Sequence, residues 1–146
     1  MKTAIVYEST HHQNTLKLVQ AIREKFPVDV IDVTETESAD LTGYDLIGFA
    51  AGIAYGKFYP AIEKFAARCL PAGKRVFFLY TCGRDSQSYL SSMRETAARK
   101  DCQVLGAYSC RGFDTFGPFK LVGGINKGRP NEEDIAGAVR FFEKLR

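Results

Sequence analysis

Seven consecutive residues near the N-terminus, Ser9-Thr10-His11-His12-Gln13-Asn14-Thr15, gather hydroxyl, imidazole and amide groups into one short polar stretch. It falls between an apolar run and a segment with helical spacing, so it opens a helix. Unpaired backbone N–H groups and the positive end of the helix dipole make such a place an anion site, and short hydroxyl side chains add donors without blocking access. A phosphate is the natural guest. Helix capping accounts for one Ser, Thr or Asn, but not for the whole cluster. A metal is not expected at His11 and His12, because adjacent side chains diverge and no third ligand is near in sequence.

Two further segments carry chemistry. Gly52-Ile53-Ala54-Tyr55-Gly56-Lys57 sets an aromatic ring beside a glycine whose peptide can flip, since it has no Cβ. Thr81-Cys82-Gly83-Arg84-Asp85-Ser86-Gln87-Ser88-Tyr89 is a polar loop with a cysteine at its head. With no partner cysteine and no histidine nearby in sequence, Cys82 is not expected to act as a redox nucleophile.

The elements that position these loops follow from periodicity. Lys2 to Tyr7 reads as a strand, and Leu16, Val19, Ile22 and Phe26 mark a helix that Pro27 closes. Val28 to Val33 alternates as a half-covered edge strand. Asp45 to Ala51 is a third strand, followed by a helix through Ile62, Phe65, Ala66 and Cys69. Between Val33 and Asp45 there is space only for an irregular connector or a short helix. Lys74 to Tyr80 and Cys102 to Tyr108 are the fourth and fifth strands, with a helical stripe at Tyr89, Met93 and Ala97 between them. A last helix starts near Asn131, where Asn131 and Asp134 form a capping-box pattern, and runs through Ile135, Ala138, Val139, Phe142 and Leu145.

Strands alternating with helices imply an α/β fold with a doubly wound, five-stranded parallel sheet of order 2-1-3-4-5. Ligands of such sheets lie beyond the strand carboxyl ends, at the switch point between strands 1 and 3. The loops 9–15, 52–58 and 81–89 meet there. The 20-residue, glycine-rich connection Arg111–Pro130 is long enough to suggest a functional role.

The 146 residues, 45% hydrophobic and 25% charged, predict one soluble globular domain spanning 1–146. The N-terminus lacks a signal-peptide pattern and no apolar run has membrane-spanning length, so a cytoplasmic protein is expected. Cys69, Cys82, Cys102 and Cys110 show no metal spacing and read as buried free thiols in a reducing compartment. A net charge of +3 without basic runs gives no case for nucleic acid. Charge is unevenly spread: residues 28–63 carry Asp29, Asp32, Glu35, Glu37, Asp40, Asp45 and Glu63 against Lys57 alone, while 99–129 carry Arg99, Lys100, Arg111, Lys120, Lys127 and Arg129 against Asp101 and Asp114. An acidic side and a basic side are expected.

The three loops together resemble those of the flavodoxin family. Its phosphate loop follows the pattern S/T-x-T-G-x-T directly after strand 1. Ser9, Thr10, Asn14 and Thr15 match, whereas His11-His12-Gln13 makes this loop one residue longer and leaves out the glycine. The resemblance implies that Ser9, Thr10, His11, His12, Gln13, Asn14 and Thr15 hold the phosphate of FMN. It implies that Gly52, Ile53, Ala54, Tyr55, Gly56 and Lys57 flank the flavin, with Tyr55 stacked on the isoalloxazine and the Gly56 carbonyl accepting from N5–H when the ring takes up an electron. Thr81, Cys82, Gly83, Asp85 and Tyr89 fall in the family's C-G-D-S-x-x-x-Y segment, whose backbone N–H groups bond the pyrimidine edge.

Lys57 stands where many flavodoxins place an acid, which predicts a raised second reduction potential. Gln87 stands near the family's second stacking tyrosine, which leaves that ring face open or covered by another element such as Phe113 or Phe116. The function implied is electron transfer by noncovalently bound FMN, with redox proteins as partners, neither nucleic acid nor membrane involved, and a monomer or weak dimer. No side chain need be catalytic in that case. An FMN-dependent reductase of quinones or other small acceptors, and a flavodoxin-like module without cofactor, are the alternatives. A phosphoacceptor receiver domain shares the strand order but needs an acidic pair after strand 1 and an aspartate ending strand 3, where this chain has only Glu8 and Ala50-Ala51.

Overall fold

Apolar residues on both faces mark a strand buried between two helical layers, and three strands of this chain have that character. They are β1 (Thr3–Glu8), β3 (Leu46–Ala54) and β5 (Arg75–Cys82). A computed structural model, which describes residues 1–8, 13–113, 124 and 126–146, places these three side by side at the centre of a parallel sheet. β2 (Val28–Asp32) pairs with β1 at one edge, and β6 (Gln103–Arg111) pairs with β5 at the other. A two-residue strand, β4 (Lys57–Phe58), folds back antiparallel on β3. The order is β2-β1-β3-β5-β6 with β4 off the path, so the five long strands stand as 2-1-3-4-5.

Side-chain alternation divides the core. Val76, Phe78, Tyr80 and Cys82 of β5 face one side, where they meet Ile62, Phe65 and Ala66 of α2 (Pro60–Cys69) and Met93 and Ala97 of α3 (Ser91–Arg99). Phe77 and Leu79 face the other, against Leu18, Val19 and Ile22 of α1 (Asn14–Lys25) and Ala138, Val139 and Phe142 of α4 (Glu132–Leu145). Gly48 of β3 leaves room for the Phe77 ring; a Cβ there would lie 2.3 Å from its Cζ. The Asn131/Asp134 capping box expected from sequence is formed at the start of α4, with both reciprocal bonds present.

Of the two forms open to the connector 33–45, the irregular one is found, with no helix. Asp32 and Asp40 each accept from a hydroxyl and a backbone N–H two residues on, at Thr34 and Thr42, so local side-chain bonds compete successfully with helix formation. Buried Leu41 pins the segment to the core. Strands β3, β5 and β6 run two or three residues further at their carboxyl ends than expected from sequence, because pairing with a neighbouring strand continues there, with β4 for Ile53 and Ala54 and between β5 and β6 for Thr81 and Cys82. The β3–β4 hairpin was not foreseen either, since two residues are too few for a periodic signal.

Candidate functional site

At the carboxyl end of β1 the chain enters α1 through Gln13, which takes the N-cap position in a left-handed conformation, φ 57°. An L side chain is held there at a cost of roughly 1–2 kcal/mol. Counted back from Thr15, this is the position of the glycine in the pattern that the loop resembles. The Gln13 side chain does not cap the helix, and the first turn holds no acid. Ser9, Thr10, His11 and His12 lie outside the described residues, as does Phe116.

Asn14 and Thr15 turn inward and are buried. The Thr15 and Thr81 hydroxyls meet at 3.0 Å, joining the first loop to the end of β5. Asn14 Nδ2 donates to the Phe113 carbonyl at 2.9 Å, while its Oδ1 is shut off from solvent and receives no hydrogen bond from the described residues. Gly112 makes this approach possible, since a Cβ there would sit 2.6 Å from Asn14 Nδ2.

Gly52 pairs in register with Thr81, which brings the second loop to the same spot. The Tyr59 ring lies over Gly52 so closely that a Cβ would be 2.4 Å from its hydroxyl oxygen. Ile53 and Ala54 end β3, and Tyr55-Gly56 form the two-residue hairpin tip with φ 54° and 79°. Both positive values are those of a type I′ turn, where Asn and Gly are favoured. Tyr55 is nonetheless there, 90% exposed, next to exposed Lys57.

In the third loop, the buried Cys82 thiol donates to the Cys110 carbonyl at 3.8 Å. Gly83 offers its carbonyl to Arg111 at 2.6 Å and to Asn126 at 3.0 Å. Asp85 accepts from the Tyr80 hydroxyl at 2.9 Å. Burial chiefly, then the Asp85 carboxylate, pushes Tyr80 up to about 12 against a lowering bond with Ser109, so it remains a neutral donor. Tyr89 is half-buried and edge-on to Tyr80, with centroids 6.2 Å apart, whereas Gln87 is exposed.

Six of the eighteen site residues expected from sequence come together: Asn14, Thr15, Gly52, Thr81, Cys82 and Gly83 surround the carboxyl ends of β1, β3 and β5. Tyr55, Gly56 and Lys57 form the projecting hairpin, and Tyr89 is committed to a ring contact beneath the loop. Tyr59, Gly112, Arg111 and Asn126 were not anticipated. Gly112 follows a strand directly, a signal for close backbone approach, but nothing in the sequence marks Asn126. Beside the third loop, Cys110 lines a cavity of about 230 Å³ with Asp85, Arg111 and Arg129; burial, then Asp134, pushes its thiol up to about 12. That keeps it protonated and unreactive. No helix among the described residues is long and apolar enough to cross a membrane.

A parallel sheet in this order, with a helix N-terminus that the Gln13 side chain leaves uncapped and two glycine-bearing loops at its switch point, defines a flavodoxin-like α/β protein. The chain belongs to the flavodoxin family, whose domain matches residues 4–108. It is 35% identical to an uncharacterized protein of Methanocaldococcus jannaschii over 99% of this chain and 98% of that one. The fold is similar to that of oxidised flavodoxin 1 from Bacillus cereus, at TM-score 0.69 and 16% identity, covering 99% and 97% of the two chains. It is also similar to a Lactobacillus acidophilus flavoprotein in complex with FMN, at TM-score 0.59 and 17% identity, covering 74% of this chain and 92% of that one.

Proposed function

We propose that this chain binds FMN noncovalently and relays electrons between redox proteins. Asn14 carries the reading. A buried amide oxygen left without a donor costs about 1–3 kcal/mol, and Asn14 Oδ1 finds none among the described residues, held in place from its other end by Phe113. A ribityl hydroxyl is a neutral donor of the right kind to remove that cost. A phosphate ester beyond it meets the N–H groups and positive dipole end of α1, which lacks both a side-chain cap and a first-turn acid. The described residues therefore fit a phosphorylated polyol chain.

Ser9, Thr10, His11, His12 and Gln13 would complete the phosphate turn around Asn14 and Thr15. Thr15 and Thr81 share one hydrogen bond, so the accepting hydroxyl keeps its own proton for a further acceptor. Gly52, Ile53 and Ala54 form the floor, Tyr55 and Gly56 flank the ring, and the backbone of Thr81, Cys82, Gly83 and Asp85 borders its pyrimidine edge. Bound there, FMN supplies the one- and two-electron chemistry that no side chain of the chain offers. The chain's own part is to hold the group, shield it from water and set the surrounding charge, which Lys57 and exposed Arg84 make positive on this rim.

The experiment is direct. The purified protein should be yellow, release FMN on denaturation, and bind FMN far more tightly than riboflavin, which lacks the phosphate. A colourless chain that takes up neither flavin leaves an interaction module as the reading.

An FMN-dependent reductase of quinones or other small acceptors is favoured by one observation: exposed Gln87 and the inward contact of Tyr89 with Tyr80 leave the third loop without an outward aromatic. Turnover with NAD(P)H and a quinone, without any partner protein, would establish that reading over the carrier.

A further inference from the structure

Successive carbonyls of an extended strand point to opposite sides, yet at the end of β5 two in a row point the same way. The Cys82 carbonyl accepts from the Gly112 N–H at 3.0 Å, on the side of β6. The next carbonyl, Gly83, is drawn to that side too, by Arg111 from the last position of β6 at 2.6 Å and by Asn126 from the segment before α4 at 3.0 Å. A trans peptide sends its N–H opposite to its carbonyl. The N–H groups of Gly83 and Arg84 therefore both face away from β6, toward β3, which flanks β5 on the other side and leads to the switch point. Two consecutive N–H groups aimed together form a small cradle for an acceptor carrying negative charge.

We infer that Arg111 and Asn126 are positioning residues that aim this pair of N–H groups at the pyrimidine edge of the flavin, and that the Arg111 guanidinium polarises them from behind. The inference rests on the FMN reading above and adds to it the two side chains that set the loop. Neither touches the flavin. A charged donor to a carbonyl is the stronger kind of hydrogen bond, so Arg111 dominates and Asn126 supports. Because the charge lies behind the ring edge that becomes more negative on reduction, it also raises the midpoint potential.

The test titrates the wild-type chain, Arg111→Gln, Arg111→Lys and Asn126→Gly with FMN and with riboflavin, followed by flavin fluorescence, and measures the midpoint potential of each loaded protein. Arg111→Gln should weaken FMN and riboflavin by the same factor, about tenfold or more, and move the midpoint to more negative potential. Equal losses place the effect at the ring and not at the phosphate. Arg111→Lys should recover part of the potential, since it restores charge without the planar fork. Asn126→Gly, which keeps the left-handed backbone of that position, should weaken both flavins less and leave the potential unchanged. A wild-type chain that binds flavin while Arg111→Gln matches it in both affinities and in potential overturns the inference. A loss confined to FMN overturns it equally. If Arg111→Gln does not fold, Arg111→Lys and Asn126→Gly both indistinguishable from wild type overturn it. A wild-type chain that binds neither flavin overturns the FMN reading, and this inference with it.

Discussion

Asn14 is held between two demands, one met and one open. Its amide nitrogen is fixed on Phe113 and its oxygen has no donor among the described residues. Asn14→Ala should therefore raise the FMN dissociation constant about tenfold, read by fluorescence titration, and change the apo protein's stability much less, because the deletion removes an unpaired acceptor along with a bond. Under the proposed function, Lys57 would act through charge alone. It is exposed at the hairpin tip, and a carboxylate in its place would oppose the extra electron on the ring. Lys57→Asp should lower the second reduction potential, and a redox titration that finds it unchanged removes Lys57 from the list of tuning residues.

At the scale of elements, the central strands depend on close packing. Gly48→Ala would drive a methyl into the Phe77 ring, between β3 and β5 where the backbone cannot retreat. Overpacking of this kind costs about 1–3 kcal/mol, which urea denaturation would report as a lower midpoint at an unchanged slope. The start of α4 is tied by the Arg129–Asp134 pair at 2.7 Å between Nη2 and Oδ1, together with the capping box. Hydrogen bonding from Arg129 foremost, then from the Asn131 backbone and against some desolvation, holds the Asp134 carboxyl below its ordinary value of 3.8. A depressed carboxyl stabilises the fold above its unfolded pKa, and the contribution disappears as pH falls through the folded one. Asp134→Asn, which keeps an acceptor for the cap, should melt below wild type at pH 7, and the gap should close as the pH is taken below 3.8.

On the whole-molecule scale, the unequal charge distribution has a structural use. β2 is an exposed sheet edge, and Asp29 and Asp32 along it discourage pairing with another chain. Exposed Lys57 and Arg84, with Asp85 beside them, border the proposed site, and under the proposed function the two bases would suit an acidic partner. Ligand binding should be felt by the entire fold, because the site draws on β1, β3, β5, β6 and α1 at once. Saturation with FMN at a hundred times its dissociation constant should add about 2.7 kcal/mol of stability, visible as a rise in melting temperature that riboflavin at the same concentration does not match.

The sheet order, the four helices, the α4 capping box and the positions of the three loops were legible in the sequence, because strand runs, helical stripes and polar turns are local patterns repeated over many residues. Tyr55 and Gly56 could be singled out for the same reason, since a glycine after an aromatic is a local signal. The hairpin they form could not be read, because a two-residue strand has no period and exists only by pairing with β3. Likewise Gly112, Arg111 and Asn126 lie about a hundred or fewer residues from the groups they meet and in different elements. Their contacts with Asn14 and Gly83 exist because β6 ends beside β5 and the chain returns there before α4. The amino-acid sequence thus determined by itself which segments build the sheet and which loops stand at its switch point. Only the tertiary structure decided how those loops are aimed, because aiming depends on hydrogen bonds between residues that the chain brings together no earlier than its final fold.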